Sequence, residues 1–140
     1  MFQIDIYHEI INRSHNRCSE YGVEKNIPCP SRILKNKEFD MLIIENRKLI
    51  KIAKPFMEIL YDFLKESGFS LYLTDKNGVI LTIIGDEDII RDETKMGIVE
   101  GADMSEKSAG TNGIGTAIHE NCSLQILGEE HFIKIFHVWT

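Results

Sequence analysis

Phe69 to Gly85 reads FSLYLTDKNGVILTIIG. Its flanks have lost the helical period that precedes Ser67-Gly68, and Asp75-Lys76-Asn77-Gly78 stands between them. Asn-Gly is a strong short-range hairpin signal, because both central residues of a type I′ turn take positive φ. Residues Phe69–Asp75 and Val79–Ile84 are therefore expected to pair as antiparallel strands.

Upstream, the sequence predicts one long helix over about Lys37 to Lys65. Phe39, Leu42, Asn46, Leu49, Ala53, Phe56, Leu60 and Phe63 alternate spacings of three and four. Asn46 occupies an a-type position of this heptad, where a polar residue fixes register and partner number in paired helices. One reading is a dimerisation seam carried by Asn46, Leu49 and Ala53. The other is a helix packed on its own domain, with Asn46 bonded to a neighbouring backbone group. Ile43, Ile50, Met57 and Leu64 widen the apolar stripe, which suits packing on a domain, and Pro55 interrupts the hydrogen-bond ladder. Both arrangements can hold together, one side on the domain and the other on a twin helix.

Before that helix, NIPCPSR carries Pro28 and Pro30 and breaks any helix. A first helix is expected over about Gln3 to Tyr21, on the recurrence of Ile4, Tyr7, Ile11, Ser14 and Cys18, with Gly22 as its C-cap. After the hairpin, Asp86–Met96 suits a short helix and Gly97–Gly101 a link or short strand. SAGTNGIGTAIHEN should be a loop turning into a helix. SLQILG (123–128) reads as a third strand, and HFIKIFHVWT (131–140) as a strand or short helix. These elements make an α+β fold with an antiparallel sheet. Three strands are few for a sheet, and the chain stops abruptly at Val138-Trp139-Thr140. The expectation is a helical segment over 1–66 and a partial domain over 67–140, truncated at its C-terminus.

A length of 140 residues suits a single domain, and 43% hydrophobic residues can supply its core. The net charge of −6 argues against nucleic-acid contact by this chain, since phosphate binding needs clustered Lys and Arg. Arg47, Lys48, Lys51 and Lys54 come nearest to a basic patch, but they interleave with apolar residues and suit the wet face of a helix. Cys18, Cys29 and Cys122 form no C-x-x-C pair and no disulfide framework, so reduced thiols in a cytoplasmic protein are expected. The N-terminal residues do not read as a signal peptide, and no apolar run approaches a membrane span.

Ser108 to Glu120, SAGTNGIGTAIHE, holds Gly110, Gly113 and Gly115. A Walker A loop needs a Lys-Ser/Thr pair after its glycines, and Thr116-Ala117 stands there instead. A dinucleotide fingerprint runs G-x-G-x-x-G after a strand, and here the order is reversed. The mechanical reading fits better. Gly110 lets the chain turn, Thr111 or Asn112 caps the next helix, and Gly113 and Gly115 leave its first turns bare for close approach to a sheet or ligand. His119 and Cys122, with His131 and His137, could supply metal ligands, but no spacing is typical of a structural zinc site. No nucleophile signature such as G-x-S-x-G is present, so no catalytic residue, metal site or cofactor is expected.

"SHNRC", "AKPFMEILYDFL", "LTDKNGVIL", "GADMSEKSAGTNGIGTAI" and "GEEHF…HVWT" occur in this order. Together they resemble the N-terminal sensor region of sigma-54-dependent transcriptional activators of the acetoin-catabolism-regulator type, a GAF domain with a leading helical segment. The resemblance covers nearly the whole chain. It implies a longer protein with a central AAA+ ATPase acting on sigma-54 RNA polymerase and a C-terminal helix-turn-helix that binds DNA, both outside this chain. Gly101, Ser105, Glu106, Gly110, Thr111, Asn112, Gly115, Thr116, Glu130, His131 and Phe132 match the family pattern. Met104 stands where tryptophan is usual and Gly113 where alanine is commoner, so the pocket should be reshaped and acetoin is a poor candidate ligand. The implied function is a small-molecule sensor, with Ser105, Thr111, Asn112, Glu130 and His131 as ligand-binding candidates, and the heptad of the long helix adds the expectation of a homodimer. The alternatives are a helical dimerisation module whose pocket is filled by Met104, and a redox or metal sensor using Cys18, Cys122 and the histidines.

Overall fold

The computed structural model describes residues 2–139, with side chains described from Asp5 onward. The side chain of Ile4 and the whole of Thr140 lie outside that range. Helix α1 spans Phe2–Glu20. It ends as its sequence predicts, with Gly22 at φ +76° and the Val23 amide donating to the Cys18 carbonyl at 3.0 Å, a left-handed C-terminal closure.

The expected single helix over 37–65 is two helices. Helix α2 covers Asn36–Glu45 and α3 covers Arg47–Leu64. The break falls at Asn46 (φ −102°, ψ 10°), not at Pro55, which sits inside α3. The reason is local: Asn46 Nδ2 donates to the Leu42 carbonyl at 2.9 Å, as does the Asn46 backbone amide at 3.1 Å. Asparagine side chains compete in this way for helical backbone acceptors. Asn46 is half-buried, and its amide side chain is bonded within its own helical stretch.

The hairpin forms. Strand β1 (Ser70–Thr74) pairs antiparallel with β2 (Ile80–Gly85), with Leu71 opposite Ile84 and Leu73 opposite Thr82. Its turn corrects the type I′ expectation. Gly78 alone adopts positive φ (+94°), and the Asp75 amide donates to Val79 O at 3.0 Å. The Asp75 carboxylate explains this choice: Oδ1 accepts from the Asn77 and Val79 amides at 3.0 and 2.8 Å, an Asx turn that keeps Asn77 out of the positive-φ region. A bulge between Leu73 and Thr74 follows.

Beyond this pair, single bridges Val79–Asp103 and Ile33–Ala102 lay the 101–104 and 32–34 segments alongside the start of β2. Helix α4 spans Glu87–Lys95, α5 Glu106–Ala109 and α6 Gly115–Glu120. The expected third strand at 123–128 does not form. Its backbone groups find other partners: Gln125 O accepts from the Tyr7 hydroxyl, Leu127 N donates to Glu130 Oε2 at 2.8 Å, and Gly128 N donates to Trp139 O. Residues Gly128–Glu130 and Lys134–Val138 are 3₁₀ turns, so the 131–140 stretch takes the short-helix option. Ile80, Ile98, Ala102, Met104, Ala109, Ile133 and Phe136 form the buried core, where apolar area leaves water at about 25 cal/mol per Å².

Candidate functional site

The glycine-rich loop separates a buried polar network from an open cavity. On the network side, α1 presents Ser14, Arg17 and Cys18. Arg17 Nε and Nη2 donate to Glu106 Oε2 and Oε1 at 2.8 and 2.9 Å, and Nη1 reaches Glu120 at 2.9 Å. Ser14 Oγ lies 2.6 Å from Glu106 Oε1, 2.7 Å from Thr111 Oγ1 and 3.2 Å from Thr116 Oγ1. Burial pushes the Glu106 pKa up, but the bonds from Arg17 and Ser14 outweigh it and hold the carboxyl below its usual range. Cys18 is wholly buried, its thiol against Thr111 and the Glu106 carbonyl, and burial raises its pKa. Such a thiol is inert rather than redox-active. Among the described residues, no group of three or more His, Cys, Asp or Glu side chains is placed to hold a metal ion.

Thr111 therefore belongs to the frame and not to the cavity. Ser105 also lies elsewhere, on a smaller hollow of about 180 Å³ with Glu106, Gly115 and His119. Glu130 ties the C-terminal segment to α1, its Oε2 accepting from the Tyr7 hydroxyl at 2.5 Å. Burial, then this bond, raise the Tyr7 pKa to about 12. Of the expected ligand-binding residues, only Asn112 and His131 line the main cavity.

That cavity has a volume of about 490 Å³, within the range of small-molecule sites. Ile98, Met104, Ile114 and Ile126 give it an apolar body, and Phe69 and Trp139 stand at its edge. Met104 is buried in the wall, and the cavity is not filled. Asn112 builds the wall by capping α6, as its position before the helix predicts. Its Oδ1 accepts from the Ile114 and Gly115 amides at 2.9 and 3.0 Å, while Nδ2 donates to Met104 O and Gly110 O, both at 2.8 Å. Gly115 is required here, because a Cβ would fall 2.3 Å from the Met104 carbonyl oxygen. Gly113 has open space around it and lines the cavity.

The polar end of the cavity was not legible from its local sequence. Glu93 of α4 is 5% exposed. Its Oε1 accepts from the Tyr72 hydroxyl and from Ser70 Oγ at 2.5 Å, whereas Oε2 is buried with no hydrogen-bond partner among the described residues. Burial and then the Glu93 bond push the Tyr72 pKa well up, so the phenol stays a donor. The available signal was Glu93 lying three and four residues after Ile90 and Ile89, on the inward face of an otherwise charged helix. His131 is buried, and its Nδ1 lies 3.0 Å from Gly128 O. A ring nitrogen facing a carbonyl carries the hydrogen, which leaves Nε2 as an acceptor. Burial lowers the His131 pKa and keeps the ring neutral.

A comparison with known protein families finds no match. Among curated proteins, the chain is 71% identical over 134 residues to a signal-transduction and transcriptional-control protein of Clostridium beijerinckii, covering 96% of this chain and 21% of that protein. It is 31% identical over 130 residues to the acetoin dehydrogenase operon transcriptional activator AcoR of Bacillus subtilis, covering 93% of this chain and 22% of AcoR. The chain thus spans about a fifth of the length of these relatives, which are named as transcriptional regulators and not as enzymes. A chain in the crystal structure of the E. coli DhaR(N)–DhaL complex matches with a TM-score of 0.85 at 16% identity, over 91% of this chain and 43% of that one. The fold is therefore that of a solved domain, mixed helix and small antiparallel sheet.

Proposed function

We propose that this chain is the GAF-like, signal-sensing region of a sigma-54-dependent transcriptional activator, and that it binds a small-molecule effector in the cavity between β1, α4 and the 104–114 loop. The cavity, with the unpartnered carboxylate oxygen of Glu93 at its polar end, carries this reading. A buried polar atom without a partner is costly, and sites built to bind a polar ligand group keep such an atom until the ligand satisfies it. The regulatory names of the relatives support the same class. In this reading the chain works in the cytoplasm as part of a homodimer. ATP hydrolysis, DNA binding and contact with sigma-54 RNA polymerase belong to other segments of a longer protein.

An effector that prefers one arrangement of the cavity shifts the populations of the arrangements. The Arg17–Glu106 pair ties α5 to α1 and the Ser14–Thr111 contact ties the glycine loop to it, so a change at the loop is felt by the helical segment. Glu93, with its buried and partnerless Oε2, and His131, with its Nε2, line the main cavity, while the Asn112 amide is fully bonded internally. The ligand therefore carries hydrogen-bond donors and an apolar body. A thermal-shift screen of small hydroxylated and amine metabolites tests this. A stabiliser whose effect is lost in Glu93→Gln is expected. A screen in which nothing raises the melting temperature, or in which Glu93→Gln responds like the parent, sinks the proposal.

A further inference from the structure

We infer that the exposed apolar seam of α3 is the dimer surface, and that two copies of the chain pair there antiparallel. This deepens the homodimer in the reading above and rests on it.

Helix α3 lies against the hairpin, and Ile50, Ala53, Met57, Tyr61 and Leu64 form its half-buried stripe. A second apolar stripe faces away from that one. Leu49, Ile52, Phe56, Ile59 and Phe63 are 42, 57, 70, 59 and 82% exposed. Their spacing alternates three and four without a slip, which is the pattern of a seam that interlocks with another helix. A stripe of this size in water is unfavourable unless something covers it. The seam expected from sequence needs correction. Asn46 and Ala53 are half-buried beside the domain, and of the expected residues only Leu49 lies on the exposed stripe.

Charge selects the occupant and its direction. The first half of α3 carries Arg47, Lys48, Lys51 and Lys54, and the second carries Glu58 and Asp62. Parallel copies would set like charges alongside one another. Antiparallel copies set each basic half alongside an acidic half. An antiparallel alignment that puts Leu49 against Ile59 of the second copy, and Ile52 against Phe56 of the second copy, pairs four of the five seam residues and leaves Phe63 beyond the end of the second copy's α3. The same alignment brings Lys48, on the flank, opposite Asp62 of the second copy, once at each end of the twofold interface. Asp62 now has only a 3.7 Å contact with the exposed Lys65 of its own helix, a pair worth little in water.

Light scattering and sedimentation of the chain and its variants test the inference. The parent is expected to be a dimer. Phe56→Glu should be monomeric and still unfold cooperatively, its melt lowered only by the stabilisation that dimerisation gives the parent, since Phe56 is 70% exposed in its own chain. Lys48→Glu should weaken the dimer about tenfold by setting like charges opposite each other, and the Lys48→Glu/Asp62→Lys double variant should recover most of that loss. A monomeric parent overturns the homodimer and the seam together. A dimer that survives Phe56→Glu keeps the homodimer and overturns the seam. A dimer lost in Phe56→Glu but indifferent to Lys48→Glu, or not recovered by the charge swap, overturns the antiparallel arrangement.

Discussion

Arg17 and Glu106 meet through two parallel hydrogen bonds, Nε to Oε2 at 2.8 Å and Nη2 to Oε1 at 2.9 Å. The Glu106 side chain is 3% exposed and that of Arg17 17%, so the pair is largely withdrawn from water. It fastens the first helix to α5, just ahead of the glycine-rich loop, across 89 residues of sequence.

Removing one partner should leave the other charge buried and alone. Arg17→Met is expected to cost about 3–5 kcal/mol in urea denaturation. Lys95→Met, which loses the exposed pair with Asp92, should cost no more than about 1 kcal/mol. Equal costs for the two variants would show that burial of the Arg17 pair has no energetic weight.

Asn112 and Gly115 should be the least replaceable residues of the loop. Asn112→Ala removes bonds to Ile114 N, Gly115 N, Met104 O and Gly110 O, and the stranded buried groups should cost about 3 kcal/mol or more. Gly115→Ala drives a Cβ into the Met104 carbonyl and should be at least as damaging. Gly113→Ala meets nothing within 4 Å and should melt within a few degrees of the parent. A calorimetric series over these variants checks the order.

The hairpin and the loop-to-helix turn were legible because their signals are local: a turn residue at Gly78, and an Asx cap at Asn112 followed by a glycine. The Ser123–Gly128 stretch carries the same apolar alternation as a strand. Its fate was decided by Tyr7, Glu130 and Trp139, and no local pattern encodes those partners. The α2–α3 break was hidden for a related reason. The heptad runs through Asn46 unbroken, while the side chain bonds to the backbone beneath it. Ser105, Thr111 and Glu130 match a family pattern yet lie off the main cavity, because a matching residue can hold the frame as readily as it can touch a ligand. Glu93 was missed since an acidic residue among Asp88, Arg91 and Asp92 reads as surface until its helix is seated.

Acid should weaken the fold in two windows. His131 has a folded pKa depressed below 6.5 by burial, so the unfolded chain binds its proton more readily, and stability falls as pH drops from about 6.5 through the lower folded value. Glu106 has a folded pKa depressed below 4.5, so its contribution is present above that value and is lost as pH falls through the folded one. Urea midpoints between pH 8 and pH 3 should show both steps. His131→Gln should abolish the upper step and leave the lower, and an upper step that persists in this variant would assign it to another group.

Glu93 should oppose stability while serving binding. Its Oε2 has no donor and its carboxyl group has no salt-bridge partner among the described residues, so in the ligand-free fold only Tyr72 and Ser70 bond this buried group. Glu93→Gln retains the Oε1 acceptor for those two hydroxyls and replaces the ionisable carboxyl by a neutral amide. The variant is expected to gain about 1 kcal/mol, or a few degrees in melting temperature. It should also lose the additional rise that a donor-bearing effector gives the parent. These effects have opposite signs, which a purely structural glutamate cannot produce: replacing such a residue would lower the melting temperature with and without ligand. Melting curves of both proteins, each with and without the screened effector, separate the two roles.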